Sequence, residues 1–219
     1  MRAPMPISQV FSQLEQHYGR FIWWPEPDPY RIMVGAILVQ NTNWRNAQKA
    51  IDNLGDDLTP ATILGLDIEV LAQSIRPSGY YNQKALKIGA LTQWYQGYNF
   101  DIERVRALGL NDLRKELLGI KGVGGETADV ILTYAVGKPS FVIDAYARRI
   151  FHRLGYSVPK SYEAFRELMQ QALPASTENY ALYHGLMVEH GQNFCRPKPE
   201  CDKCPLNGVC QRVDVGVPS

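Results

Sequence analysis

Four cysteines close to the C-terminus have the spacing of a metal site. Cys195, Cys201, Cys204 and Cys210 follow the pattern C-x5-C-x2-C-x5-C, and the 194 residues before them contain no cysteine. An intracellular chain keeps its thiols reduced, which disfavours two disulfides and leaves four thiolates for a metal. Zinc and a [4Fe–4S] cluster both accept four thiolates, but zinc ribbons usually contain two close C-x2-C pairs, whereas this chain has one. The spacing therefore favours the iron–sulfur cluster.

A glycine-rich link between two predicted helices could hold a phosphate. Residues 120–125, IKGVGG, separate a run of helix formers at Asn111–Leu118, which opens on a capping residue, from helical apolar spacing at Glu126–Val136. Glycines allow positive φ and leave backbone N–H groups uncovered beside a helix N-terminus, where anions bind. The simpler alternative is a helix corner that needs glycine for close packing. The candidate donors are the backbone amides of Gly122, Val123 and Gly124.

Asp144 is the candidate catalytic carboxylate. It stands directly before the helical run AYARRIF, where aspartate is also a favourable N-cap. A fixed carboxylate can stabilise a developing positive charge and orient a water molecule for attack. From the residue and its neighbours alone, capping and catalysis both stay open, and one does not exclude the other.

The segments that must position these residues are all predicted to be helices, and no alternating strand of convincing length is present. Asn43 can cap one of the helices and Gly55 ends it, while Gly137, Lys138 and Pro139 form a second helix stop with the glycine at the left-handed position. We therefore predict an all-α protein. Besides the runs on either side of the glycines and the run after Asp144, the predicted helices are Ile7–Tyr18, Tyr30–Gln40, Trp44–Leu54, Pro60–Leu64, Ile68–Ile75, Asn82–Tyr95, Ile102–Leu108, Tyr162–Leu173 and Glu178–His190.

Aromatic side chains stand in two predicted loops. Phe21–Tyr30, FIWWPEPDPY, contains three prolines that preclude a regular helix and places Trp23 and Trp24 side by side. A second turn, RPSGYYNQKA, presents Tyr80 and Tyr81. Such side chains either cover a core or form a stacking surface for a ligand.

Composition excludes little about the partner. The 219 residues have a formal net charge of +1 and a pI near 7.7, so affinity for nucleic acid would have to come from local patches. No apolar run is long enough to span a bilayer, and the N-terminus lacks the layout of a signal peptide. We expect a soluble cytoplasmic monomer with no membrane contact.

Taken together, these motifs resemble the helix–hairpin–helix DNA glycosylases of the endonuclease III superfamily over nearly the whole chain. GVGGETADVIL is similar to that family's phosphate-binding hairpin, VIDAYARRIFHRLG to its catalytic aspartate segment, GYYNQKA to its minor-groove turn, and the cysteines to its cluster loop. WWPEPDPY, VGAILVQNTNW, RPSGYYNQKA and KGVGGETAD are most similar to the bacterial 3-methyladenine DNA glycosylase branch.

The resemblance implies a two-lobed fold that grips double-stranded DNA across a cleft. A six-helix barrel carrying the hairpin would span residues 28–140. Residues 1–27 and 141–219 would form a discontinuous helical lobe with the iron–sulfur loop at 195–210.

The same resemblance implies roles for single residues in lifting a damaged base from the duplex and breaking its N-glycosidic bond. Asp144 falls on the family's catalytic aspartate, which steadies the cationic sugar and orients water. Lys121 would add a cation beside the hairpin amides that hold a phosphate. Gln40 or Tyr80 would fill the gap left by the flipped nucleotide, as the matching positions do in relatives.

The residue type at position 126 distinguishes two modes of catalysis. Bifunctional members carry a lysine at this position, after the hairpin glycines, and that lysine attacks the sugar and leads to strand cleavage. A carboxylate cannot form the Schiff base, so Glu126 implies a monofunctional enzyme that uses water. The simpler role of Glu126 is a favourable acid in the first turn of a helix.

Trp23, Trp24 and Trp44 are the candidate base pocket, because the matching positions line it in the 3-methyladenine branch, with phenylalanine in place of Trp44. An alkylated purine is cationic and stacks on electron-rich rings, so these residues imply alkylated purines as substrates. The alternative is that one or more of them belongs to the core.

Two departures keep other functions open. The first cluster loop has five residues where the family usually has six, and the 3-methyladenine branch member has no cluster and carries lysine where this chain has Gln192. The alternatives are a bifunctional glycosylase/AP lyase for oxidised pyrimidines and a non-catalytic binder of damaged DNA.

Overall fold

The computed structural model describes residues 3–216 and contains helices but no strand within that range, which confirms the all-α prediction. None of the helices in this part of the chain is long and apolar enough to cross a membrane. In chain order the α-helices are α1 Ile7–Tyr18, α2 Pro29–Leu38, α3 Trp44–Leu54, α4 Pro60–Gly65, α5 Ile68–Ser74, α6 Tyr81–Gln96, α7 Ile102–Arg106, α8 Leu110–Gly119, α9 Gly125–Val130, α10 Ala145–Leu154, α11 Tyr162–Ala172 and α12 Thr177–Asn193.

Backbone contacts divide the chain into two compact units. The central unit is the continuous segment Pro25–Lys138 and contains α2 to α9. The terminal unit combines the residues up to Trp24 with those from Pro139 onward and contains α1, α10, α11 and α12. The assignment of the units as a six-helix barrel and an iron–sulfur lobe stays a prediction.

The central unit is organised around α2. Asp28 caps this helix by accepting a hydrogen bond from the Tyr30 N–H, and Pro29 occupies the first turn, where its missing N–H costs nothing. Every residue from Ile32 to Leu38 is buried, as expected for a helix that is apolar nearly all round. It packs against α3, α6 and the segment that follows α9.

Local signals placed several helix ends correctly. The Asn43 side chain accepts the Asn46 N–H at 3.0 Å and starts α3, which ends at Gly55, as predicted. Gly137 takes the left-handed conformation, with φ of 81°, and stops the helical segment before it.

Two predictions about the hairpin helices need correction. Asn111 is not the cap of α8, because the helix already begins at Leu110 and Gly109 is its N-cap, without a side-chain hydrogen bond. The predicted helix Glu126–Val136 is α-helical only as far as Val130, and Ile131–Val136 form a π-helix. The apolar spacing indicated helix, but it did not distinguish the two hydrogen-bonding patterns.

The terminal unit has its own aromatic core. The Phe11 ring stacks on Tyr183 with 4.2 Å between centroids and contacts the rings of Phe141 and Phe151. These rings join α1 to α10 and α12, so residues from both ends of the chain share one hydrophobic cluster. The half-buried cysteines Cys195, Cys204 and Cys210 pack against that cluster.

Candidate functional site

The glycine hairpin in the central unit consists of α8, a tight turn and α9. The turn closes through the Val123 N–H, which donates to the Ile120 carbonyl at 3.0 Å, and the Val123 side chain is buried. The Val123 amide is therefore hydrogen-bonded inside the turn, whereas the sequence analysis expected it to be uncovered; its role toward a phosphate stays a prediction.

The N-terminus of α9 supplies amides instead. The helix begins at Gly125, its N-cap Gly124 is extended, and no side chain caps it. Because the first N–H groups of a helix have no acceptor within the helix, this end is suited to an anion.

Gly122 is the hairpin residue that must be glycine. Its φ is +90°, a conformation that costs L-residues free energy, and a Cβ on it would lie 2.3 Å from Cγ of Lys87. The stem of Lys87, from α6, therefore lies directly over the turn. Gly124, by contrast, has open space where a Cβ would be.

The Gln40 side chain is hydrogen-bonded to this hairpin. Its Nε2 donates to the Gly122 carbonyl at 3.1 Å and to Oγ1 of Thr127 at 2.9 Å, while its Oε1 accepts from Nζ of Lys87 at 2.6 Å. All three bonds would have to break before Gln40 could enter a duplex. Its predicted gap-filling role stays a prediction, and Lys87 is a hairpin contact that sequence reasoning missed.

The remaining candidates of the central unit lie at its surface. Tyr80 is 70% exposed and has a left-handed backbone with φ of 47° directly before α6. Trp44 is the first residue of α3 and is 42% exposed, so it is not a core residue. Lys121 and Glu126 are exposed on either side of the hairpin glycines.

Asp144 belongs to the terminal unit and caps α10. Its Oδ1 accepts the Ala147 N–H at 2.7 Å, so the capping role predicted from the sequence is confirmed. Only 8% of the residue is exposed. Its second oxygen, Oδ2, lies 3.4 Å from Nε2 of His184 on α12. His184 was not among the sequence candidates, because nothing in its own helix shows that it meets a carboxylate from another one.

Trp23 lies against the same helix, α12. A Cβ on Gly185 would approach Cβ of Trp23 to 2.8 Å and the Phe21 ring to 3.0 Å, so this glycine makes room for the tryptophan. Trp23 and Trp24 are half-buried, which excludes the alternative that they are fully enclosed core residues.

The four cysteines line one cavity in the terminal unit. Its other walls include Ile150, Leu154, Phe194 and Leu206. Backbone N–H groups of Leu206 and Arg212 donate to the sulfurs of Cys204 and Cys210, each at 3.4 Å. Arg153 Nη1 donates to Cys195 Sγ, also at 3.4 Å.

Burial raises the pKa of the Cys204 thiol to about 11 and also raises that of Cys210, while the neighbouring cysteines contribute to both shifts. Unless a cation replaces their protons, these groups are thiols at neutral pH. Among the described residues no three His, Cys, Asp or Glu side chains are arranged around one point as ligands of a single metal ion.

Comparison with known proteins agrees with this arrangement of helices and motifs. The sequence model of the HhH-GPD superfamily base excision DNA repair proteins matches residues 34–175. A Methanocaldococcus jannaschii protein assigned as a DNA repair glycosylase is 42% identical over 93% of this chain and 95% of its own. Endonuclease III of Thermotoga maritima is 31% identical over 85% and 84% of the two chains. The H. pylori 3-methyladenine DNA glycosylase bound to 1,N6-ethenoadenine superposes with a TM-score of 0.75 at 25% identity, covering 86% of this chain and 98% of that one.

Proposed function

The chain belongs to the HhH-GPD superfamily of base excision DNA repair proteins, and we propose that, as a DNA glycosylase of that superfamily, it hydrolyses the N-glycosidic bond of alkylated purines in double-stranded DNA. The reaction releases the free base and leaves an abasic site in an uncut strand. The absence of strand cleavage is inferred from the carboxylate at Glu126. The choice of substrate is supported by the aromatic residues Trp23, Trp24 and Trp44.

Asp144 is the catalytic residue in this proposal. Breaking the N-glycosidic bond leaves positive charge on the sugar, and a nearby carboxylate lowers the free energy of that state. Because Asp144 is nearly buried, its charge acts in surroundings that screen it less than water does. The cap bond from Ala147 fixes one oxygen and so limits rotation of the group that faces the sugar.

Binding of the duplex depends on backbone positions and not on a strongly basic surface. The net charge of +1 supplies little long-range attraction. The uncapped N-terminus of α9 would hold a phosphate, with Lys121 and Lys87 adding positive charge close to the turn. Such contacts position the enzyme on the strand and leave selection of the base to its pocket.

The exposed position of Glu126 in the first turn of α9 suits a residue that comes close to DNA. A lysine there would attack the sugar and form a Schiff base, whereas a carboxylate cannot. Water is therefore the nucleophile in the proposed reaction, and Asp144 orients it.

Trp23, Trp24 and Trp44 support alkylated purines as substrates. A purine alkylated on a ring nitrogen carries positive charge, which stacks favourably on an indole and makes the base a good leaving group. The relationship to the H. pylori enzyme bound to 1,N6-ethenoadenine supports the same class. Because such a base leaves readily, its release from an aromatic pocket needs no strong acid catalyst.

A second candidate is favoured by the similarity to endonuclease III of T. maritima. It is a glycosylase with AP lyase activity on oxidised pyrimidines. This alternative requires a nucleophilic amine at the sugar, and we propose that no lysine of this chain supplies it.

The cysteine segment fits a [4Fe–4S] cluster held by Cys195, Cys201, Cys204 and Cys210. Four thiols, N–H donors aimed at three of the sulfurs and apolar walls are the surroundings that such clusters use. The four cysteines would hold such a cluster together and would not need to surround a single metal ion. When bound, it would join the loops of this segment into one folded element. Purified protein should be brown and contain iron and sulfide, and a colourless protein with stoichiometric zinc would contradict the assignment.

The decisive experiment uses a panel of duplexes that each carry one defined lesion. We expect free alkylated purine and an intact strand that breaks only on treatment with alkali. Asp144→Asn should abolish base release and leave duplex affinity unchanged. A complex trapped by borohydride, or a strand nicked without alkali, would favour the lyase. Binding of damaged DNA with no base released from any lesion would identify a non-catalytic binder.

A further inference from the structure

The two carboxylate oxygens of Asp144 have different neighbours. Oδ1 accepts the Ala147 N–H at 2.7 Å and is used by the helix cap. Oδ2 faces Nε2 of His184 at 3.4 Å. Both residues are largely removed from solvent, so water does not compete freely for either group.

Helix α12 places His184 where it can act on this carboxylate. The helix packs along α10, whose N-terminus Asp144 caps, and it also packs against α1. The next residue, Gly185, lacks a side chain and thereby admits Trp23, a candidate for the base pocket. Two consecutive residues of one helix thus contact Asp144 and Trp23.

We infer that His184 is a positioning residue for Asp144. Its imidazole, with a proton on Nε2, donates toward Oδ2 and restrains the carboxylate, whose other oxygen is held by the cap bond. Such a hydrogen bond restrains the carboxylate and leaves it the negative charge that stabilises the cationic sugar. The inference rests on the proposed function, because a restrained Asp144 matters to the rate only if Asp144 is catalytic.

The two possible roles of His184, filling space and positioning Asp144, predict different results for two substitutions. His184→Gln keeps an N–H donor at a similar distance along the side chain, and His184→Leu keeps the approximate volume without any donor. If His184 only fills space, leucine should be tolerated at least as well as glutamine. If it positions Asp144, base release should be slow in the leucine variant and close to the wild-type rate in the glutamine variant.

The first measurement is the single-turnover rate of base release, together with duplex affinity, on a lesion that the wild-type protein excises. We expect His184→Leu to slow release by about tenfold or more with unchanged affinity and unchanged thermal stability. His184→Gln should stay within about threefold of wild type. Equal rates for the two variants, or a loss for leucine that parallels unfolding, would overturn the inference.

The second measurement needs no activity and separates this inference from the proposed function. Long-range 1H–15N NMR reports the tautomer of each of the four histidines, and His184→Gln assigns the signal. We expect the Nε2–H tautomer in wild type and a shift toward Nδ1–H in Asp144→Asn, because the asparagine NH2 group would face Nε2. The same tautomer in both proteins would refute the pairing, even if Asp144→Asn abolishes base release.

Discussion

Oδ2 of Asp144, the N-cap of α10, lies 3.4 Å from Nε2 of His184 on α12. The other oxygen of Asp144 caps α10 through the Ala147 N–H. One oxygen of this carboxylate therefore has a backbone N–H as its partner, and the other faces an imidazole. This division allows its observed role as a helix cap to be separated from its proposed catalytic role by the choice of substitution.

Asp144→Ala and Asp144→Asn should differ in stability and agree in activity. Alanine cannot accept the Ala147 N–H, so we expect a loss of about 1 kcal/mol in the free energy of unfolding. Asparagine caps almost as well as aspartate, so its loss should be smaller. Urea unfolding measures both. Base release should be abolished in both variants, since neither carries the charge, and an active Asp144→Asn protein would contradict the catalytic assignment.

Gly122→Ala should disrupt the hairpin, whereas Gly124→Ala should not. The first substitution imposes a side chain at φ of +90° and drives Cβ into the Lys87 stem. We expect a loss of about 1–3 kcal/mol in the free energy of unfolding. The second meets open space within the protein at an ordinary extended conformation, so it serves as the matched control. Equal stability of the two variants would show that the turn is not held as described.

Arg114 and Asp129 should stabilise the hairpin as a buried pair. Nε and Nη2 of Arg114 contact the two oxygens of Asp129 at 2.8 and 3.2 Å, and Asp129 is 0% exposed. Removing one partner leaves a charge in the interior, so Arg114→Met or Asp129→Asn should cost about 3–5 kcal/mol. The double variant should cost less than the sum of the two single losses. Additive losses in a double-mutant cycle would exclude direct coupling.

Lys84 should make the stability of the protein depend on pH. The residue is 1% exposed, and its Nζ donates to the carbonyls of Leu38 and Ser78 at 2.7 and 2.6 Å. Burial, together with the nearby Lys87, lowers the pKa of Lys84 from 10.5 to about 8. Between these two values the unfolded chain binds the proton and the folded chain does not, so the free energy of unfolding should rise with pH.

Lys84→Met provides the control for that pH dependence. It removes the titrating group and should flatten the rise, while leaving two carbonyls without their donor at a cost of about 1–3 kcal/mol. Unfolding should be followed from pH 8 to about 9.5, since buried tyrosines such as Tyr30, whose pKa burial raises, oppose the trend at higher pH. An identical slope in wild type and Lys84→Met would assign the effect to other groups.

Glu126→Lys should introduce a covalent intermediate. Residue 126 is exposed in the first turn of α9, where a lysine could attack the sugar once the base has left. We expect a protein–DNA complex after borohydride treatment of the variant and none with wild type. Glu126→Gln removes the charge without adding an amine and should trap nothing. A trapped complex with wild type would show that another residue is the nucleophile.

Sequence patterns predicted most of the secondary structure because the signals are local. Asn43 caps α3 and Gly137 ends a helical segment through interactions within a few residues. The same reasoning failed at Ile131–Val136, because apolar spacing is compatible with both α and π hydrogen bonding. It also failed at Val123, whose amide is closed into the turn by a hydrogen bond that only the folded backbone defines.

The sequence by itself determined that the chain is helical, where its cysteines and hairpin glycines stand, and that residue 126 is a carboxylate. Those features depend on residue identity and short spacing. Only the tertiary structure decided that Lys87 lies over Gly122, that Gln40 is bonded to the hairpin, and that His184 faces Asp144. Each of these contacts joins residues that are far apart in the sequence, and the packing of the helices sets distances that no local pattern contains.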